Sequence, residues 1–398
     1  MKIYEIGTGY TPIPAQMGAA TEIVVEELTR SFLKNGEDAE IIDIQAQQRE
    51  DTDLPISEVR VPSCFTKTDV SLGIMHKLKR VVYSLALAKK LRAILKQTKE
   101  KVVLHFHNQY NLFFFLKLTS KKLREKAIIA YTVHSYIWGT EWEQIEGTVR
   151  KKYFQEIECV KNADLVLVLN DITTDHFVTK MNVARERICK VLNGVNMEKY
   201  APLSAEEIAK LKEMHGLQGK KVIFQVGSVC ERKNQLGSVK MLADYLKAHR
   251  EAVYLYAGGI IDSEYQQKIQ EFALEQGIAE QIRYAGELAP GMQLNQYYNM
   301  ADCSVFTSTL ESFGLVIIEA ISSGTPVVLG TNLMFALDGG YTMYRDQEEF
   351  VSQVDLILQK GAVDCSTCRN AIQKYSWDAV AADYATCFQN RSTDKTAT

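Results

Sequence analysis

Short β-rich runs alternate with longer amphipathic stretches along most of the chain. Residues 2–6 and 39–44 form two such runs. Between them, 19–33 has helical periodicity and closes on Asn35-Gly36, a pair suited to end a helix because glycine accepts left-handed backbone. Residues 102–106, 127–133 and 165–169 are apolar at successive positions, as strands are when both faces of a parallel sheet are covered. With helical patterns between the runs, this is the βαβ signature of a doubly wound sheet. The pattern pauses at the turn pair Asn193-Gly194 and at a helix start on Ser204, where Glu207 completes a capping box. It then restarts, with strands expected at 222–226, 253–257, 282–285, 304–307 and 326–329, and helices near 235–248, 263–276, 294–300 and 315–322. An amphipathic helix near 377–388 ends the pattern. The prediction is two Rossmann-like α/β domains, 1–195 and 196–375, then a helix over 376–391 and a disordered tail over 392–398. Ligand is expected at the C-terminal ends of the strands, in a cleft between the halves.

Composition narrows the function. Hydrophobic residues make up 46% and charged residues 24%, ordinary values for a soluble globular chain. A net charge of −3 argues against a general nucleic-acid binder. Charge is uneven, however. Residues 67–126 hold 15 Lys+Arg against 3 Asp+Glu, whereas 196–398 hold 18 against 25. The basic stretch suits phosphates or an anionic membrane surface; a solvated helix face is the plainer alternative. No run reaches the ~18–20 apolar residues of a membrane span, and residues 1–6 read as a strand rather than a signal peptide. The expectation is a cytoplasmic protein able to touch the inner face of the membrane through 67–126. Eight cysteines are scattered along the chain and are expected to be reduced. Cys365 and Cys368 have CxxC spacing, but without a second pair or a nearby histidine the spacing carries little weight.

Chemistry concentrates at a few strand ends. Glu311-Ser312-Phe313-Gly314-Leu315 leads into a helix that carries Glu319, and Gly324-Thr325-Pro326-Val327-Val328 follows. A helix N-terminus opened by glycine suits a diphosphate, because its first N–H groups are free and the backbone can approach closely. The two carboxylates are suited to hydroxyls on either side; eight residues of helix would separate them by about 12 Å. Arg232 and Lys233 adjoin at the turn after the first strand of the second half, where they could clamp a diphosphate. Thr132-Val133-His134 ends a buried strand. His105 and His107 share one face of another strand; they could ligate a metal, but no third ligand is evident, and they are read as cleft-lining or structural.

The Glu311–Glu319 segment resembles the E-x7-E motif of retaining GT-B glycosyltransferases, and its surroundings resemble glycosyltransferase family 4. The resemblance implies that Glu311 holds donor-sugar hydroxyls, that Glu319 holds the ribose, and that Ser312, Phe313, Gly314 and Leu315 line the donor site. It implies that Lys233 and Arg232 stabilise the departing diphosphate, although Ser228 stands where the family often has arginine. His134 is similar to the family's cleft histidine, with Ser135 in place of the usual aspartate. Gly18 matches one glycine of the family's N-terminal loop. Gly286, Glu287 and Leu288 follow a strand where the nucleotide base usually rests. The family implies no cofactor and no required metal. Asp51-Thr52-Asp53, a DxD, is read as a solvated loop. The expected activity is retaining transfer of a sugar from a UDP- or GDP-sugar to a glycan or lipid-linked acceptor in polysaccharide biosynthesis. A nucleotide-sugar epimerase, an inverting transferase and a catalytically silent paralogue that scaffolds a partner are the alternatives.

Overall fold

In the computed structural model, residues 1–14, 19–47, 49–66, 74–331, 339–360 and 369–394 are described. The chain forms two compact units: one made of 1–193 with 377–398, the other of 194–376.

The first unit is built on strands β1 (Ile3–Ile6), β2 (Ala39–Ile44), β3 (Ile56–Val59), β4 (Val102–Phe106), β5 (Ala127–Thr132), β6 (Leu165–Val168) and β7 (Ile188–Lys190). They form a parallel sheet in the order β3-β2-β1-β4-β5-β6-β7. The central β4 and β5 are buried along their whole length and are mostly apolar, with His105 interrupting β4. The edge strands β3 and β7 are short and partly polar, so their sequences carry no comparable run.

The second unit contains β8 (Lys221–Val226), β9 (Ala252–Ala257), β10 (Ile282–Tyr284), β11 (Cys303–Phe306), β12 (Val327–Gly330) and β13 (Tyr341–Tyr344). Their parallel order is β10-β9-β8-β11-β12-β13. The helix Ala205–Met214 begins with the capping box of Ser204 and Glu207, and Gly36 takes φ +84° just beyond the helix Ala20–Lys34.

The helix Trp377–Asp394 packs on the first unit. Val380, Ala381, Tyr384 and Phe388 are fully buried there, Phe388 meets Phe32 at 6.1 Å between ring centres, and Lys34 pairs with Asp378. Two expectations are corrected. The helix continues through Ser392–Asp394, where disorder was expected. Cys189 and Cys387 are joined as a disulfide rather than held as reduced thiols. They lie 198 positions apart, so only the docking of the last helix beside β7 reveals the pairing. Cys365 and Cys368 lie outside the described residues. Among the described residues, no helix is long and apolar enough to cross a membrane.

Candidate active site

In the second unit the chemistry gathers where β8, β9 and β11 end. Beyond β8 the chain passes Gly227 and makes a short turn over Glu231–Lys233. A Cβ on Gly227 would come within 3.2 Å of the Lys233 stem, so the missing side chain lets the lysine lie flat along the backbone. Gln225 secures this turn from below. It is buried, its amide donates to the Lys233 carbonyl at 2.7 Å, and its oxygen accepts from Tyr254 at 2.7 Å and Ser238 at 2.6 Å.

Arg232 and Lys233 converge on one carboxylate oxygen. Arg232 Nη1 and Lys233 Nζ each donate to Glu311 Oε1 at 2.6 Å, and Arg232 also donates to the Leu310 carbonyl at 3.0 Å. Two cations on one carboxylate leave a surplus positive charge. The helix Leu315–Ser322 adds to it: Gly314 at φ +87° precedes its first turn and offers no side-chain cap to the free N–H groups. Lys233 Nζ lies 5.3 Å from the centre of the Phe306 ring, and a Cβ on Gly314 would meet that same ring at 3.3 Å. The lysine and the helix start therefore both lie beside the Phe306 ring.

The two glutamates of the motif are not equivalent. Glu311 precedes the helix, so the segment between the pair is only partly helical and the 12 Å helical span does not apply. Glu319 is buried within the helix. Tyr298 donates to its Oε2 at 3.3 Å, and burial pushes its carboxyl up to about 7. Gly286, Glu287 and Leu288 follow β10. Gly286 accepts from the Gly258 amide at 2.9 Å, and Leu288 is buried. A Cβ on Gly258 would strike the Gly227 carbonyl, so the ends of β8 and β9 touch backbone to backbone. Phe313 stands 6.1 Å from Tyr375, ring to ring. Gly18 lies outside the described residues. Asp53 of the DxD is exposed and accepts from Arg30 at 2.8 Å.

In the first unit, His134 ends a buried polar chain that sequence reasoning missed. Glu5 on β1 stands in register with His105 on β4. His105 Nδ1 lies 2.7 Å from Glu5 Oε1, and His107 Nε2 lies 2.7 Å from Glu5 Oε2. His107 Nδ1 lies 3.0 Å from His134 Nε2, and His105 Nε2 lies 2.7 Å from Thr132 Oγ1. Tyr384 and Phe388 of the last helix close over His105 at 5.5 and 5.4 Å. Burial alone would push the Glu5 carboxyl up, but its two histidines outweigh this and hold it at about 2. Burial, reinforced by His105, lowers His107 to about 4. Burial and the neighbouring rings hold His134 well below the usual range.

Glu5, His105 and His107 place one potential ligand atom each within 4.8 Å of the others, which supplies the third group absent from the HxH reading. The N···O contacts at 2.7 Å have hydrogen-bond geometry, with the protonated ring nitrogens facing the carboxylate. The signal available in sequence was a glutamate between Tyr4 and Ile6 in the strand 2–6. The loop bearing His134 is anchored separately: buried Glu156 accepts from Tyr131 at 2.7 Å, Ser135 at 2.9 Å and Trp138 at 3.2 Å.

Two Rossmann-like parallel sheets, each with charged groups at its C-terminal edge, define the GT-B class of protein. Residues 21–199 match the family described as Glycosyltransferase Family 4, and residues 207–336 match Glycosyl transferases group 1. The matched stretches fall in the two halves of the chain, and the protein belongs to this glycosyltransferase family. An alpha-monoglucosyldiacylglycerol synthase of Streptococcus pneumoniae is 23% identical over 60% of this chain and 48% of its own. A D-inositol 3-phosphate glycosyltransferase of Saccharomonospora viridis is 28% identical over 57% of this chain and 56% of its own. The matches thus span about half the length of these curated relatives. Among solved structures, Anabaena HepE in complex with UDP superposes with a TM-score of 0.70 at 16% identity, over 98% of this chain and 99% of that one. At that identity the likeness speaks for the fold alone.

Proposed function

We propose that the protein is a retaining glycosyltransferase that moves a sugar from a nucleoside diphosphate sugar to the hydroxyl of a glycan or lipid-linked acceptor. The observation that carries the reading is the convergence of Arg232 and Lys233 on Glu311 Oε1 beside the start of the helix Leu315–Ser322. A cationic pair with a free helix N-terminus has the charge and the donors for a diphosphate. The same groups stabilise it as the sugar–phosphate bond breaks, so that no metal is required. Glu311 then exchanges cations for donor-sugar hydroxyls, and Glu319 takes the ribose. Ser312, Phe313, Gly314 and Leu315 line the donor path, and Gly286, Glu287 and Leu288 the base. Retention follows a same-face path in which the leaving phosphate oxygen helps deprotonate the acceptor. Relatives whose names specify a nucleotide complex, a diacylglycerol product and an inositol phosphate acceptor support the donor class and leave the acceptor open.

The test is thermal stability against UDP, GDP, TDP and ADP, without metal and then with Mg²⁺. One nucleotide should stabilise without metal, by about 2.7 kcal/mol at a hundredfold excess over its Kd. No shift with any of them would favour a silent scaffold, and a shift seen only with Mg²⁺ would overturn the metal-free site.

The helix Ile74–Gln97 supports the membrane part of the reading. Met75, Leu78, Val81 and Leu85 are exposed along it, and Lys89, Arg92 and Lys96 continue the exposed face. An apolar stripe running into lysine and arginine suits an anionic bilayer surface. Flotation with anionic but not zwitterionic vesicles at low salt is expected; equal flotation with both, or none, overturns it.

A further inference from the structure

We infer that Glu5 and His107 are positioning residues that hold His134 with its proton on Nε2, leaving Nδ1 as a bare acceptor for a substrate hydroxyl. The inference rests on the sugar-transfer reading only for the identity of that substrate.

An ionised carboxylate cannot donate, so the ring nitrogens facing Glu5 must. Nδ1–H of His105 donates to Oε1 and Nε2–H of His107 donates to Oε2, each at 2.7 Å. A neutral imidazole carries one N–H. With that proton committed to Glu5, His107 has only a lone pair at Nδ1, and the 3.0 Å contact must be donated by Nε2–H of His134. The constraint then passes to the second ring: Nδ1 of His134 has no proton. The branch through His105 ends differently. Its Nε2 meets the Thr132 hydroxyl at 2.7 Å, a group that rotates to donate or to accept and so passes no constraint on.

Burial lowers the pKa of both His107 and His134, which keeps the rings neutral at physiological pH and preserves the one-proton count. The backbone supplies the alignment. Glu5 and His105 are cross-strand partners, His107 lies on the same face two residues on, and β5 delivers His134 just past its last residue, Thr132. Nδ1 of His134 makes no hydrogen bond to a described residue.

A bare imidazole nitrogen discriminates by chemical class. A sugar or acceptor hydroxyl can donate to it. An ionised phosphate or carboxylate can only present lone pair to lone pair. His134 is therefore suited to read a hydroxyl rather than an anionic group.

Histidine-selective ¹⁵N labelling of the intact protein, read by long-range ¹H–¹⁵N correlation, reports each tautomer without substrate. The expected result at neutral pH is Nε2–H on His107 and His134 and Nδ1–H on His105. A His134 ring protonated at Nδ1, alone or together with Nε2, overturns the inference. The second arm is His107→Phe, which frees His134 to sample both tautomers. Its ¹⁵N signals should move towards an average, and kcat/KM with a working donor should fall about tenfold, the scale of one hydrogen bond. Unchanged tautomer and unchanged kcat/KM in His107→Phe would equally overturn it. If no nucleotide sugar is turned over at all, the sugar-transfer reading fails while the wild-type tautomer result still decides this one.

Discussion

Glu5 and Glu311 each receive two cationic or N–H-bearing partners, yet their surroundings differ. Glu5 is fully buried, and its partners come from an adjacent strand inside the sheet. Glu311 keeps 13% of its side chain exposed and is met by two cations from a neighbouring turn. Removing the Glu5 contacts would strand charge in a low-dielectric interior, so that network is built to stay. The Glu311 contacts are only partly buried, so breaking them leaves charges that solvent can still reach. The Glu5 network is fixed inside its own unit, whereas the Glu311 contacts of the other unit are the more readily exchanged.

Phe388→Ala tests whether the buried edge depends on the last helix. It should destabilise the first unit by about 3–5 kcal/mol, the range for deleting a buried phenyl ring, in urea unfolding. A loss under 1 kcal/mol would show that the helix is not part of that core. Lys233→Ala probes the exchangeable edge. It should leave the fold intact and lower kcat by roughly 10²–10³-fold, as for loss of one charge-stabilising donor. Unchanged turnover would remove Lys233 from the reaction.

The acid limb of stability separates the edges further. The Glu5 carboxyl is held down at about 2, so its contribution is present above the ordinary carboxylate range and is lost as pH falls towards 2. Glu5→Gln should therefore flatten the loss of stability between about pH 4.5 and 2. An unchanged acid limb would contradict the pairing.

Glu319 runs the other way. Its carboxyl is raised to about 7, so the folded state holds a proton that the unfolded chain has released, and stability falls as pH rises from about 4.5 through 7. Ribose hydroxyls favour the ionised form, so nucleotide affinity should rise with pH up to about 7, by at most tenfold per unit. Glu319→Gln should erase that increment, measured as the difference between the two pH profiles. A profile shared by both proteins would free Glu319 from the ribose.

What could be read from sequence follows the same division. Arg232, Lys233 and Glu311 sit in short local motifs at strand-to-helix junctions, and such motifs are visible without knowing which strands pair. Glu5 acquires meaning only from its register with His105, a hundred residues away. The central strands were legible because both their faces are covered and most of their residues are apolar. The edge strands Ile56–Val59, Ile188–Lys190 and Tyr341–Tyr344 were missed because each is covered on one side only and mixes polar with apolar positions. The Tyr298 partner of Glu319 was hidden for a related reason: it lies on a different helix, and nothing in the local spacing joins them.

The first unit is interrupted in sequence: 194–376 intervene before the chain returns with Trp377–Asp394. The exit and the return run side by side, with the Val195 amide donating to the Tyr375 carbonyl at 2.7 Å. During synthesis, therefore, the piece that starts first finishes last. At about 5–20 residues per second, the ribosome needs roughly 10–40 s to deliver the intervening unit. Throughout that time Phe32 and His105 wait for the side chains that will cover them. A nascent chain stalled before residue 377 would expose an apolar, histidine-lined face, making it a ready target for chaperones, while its second unit could already be folded.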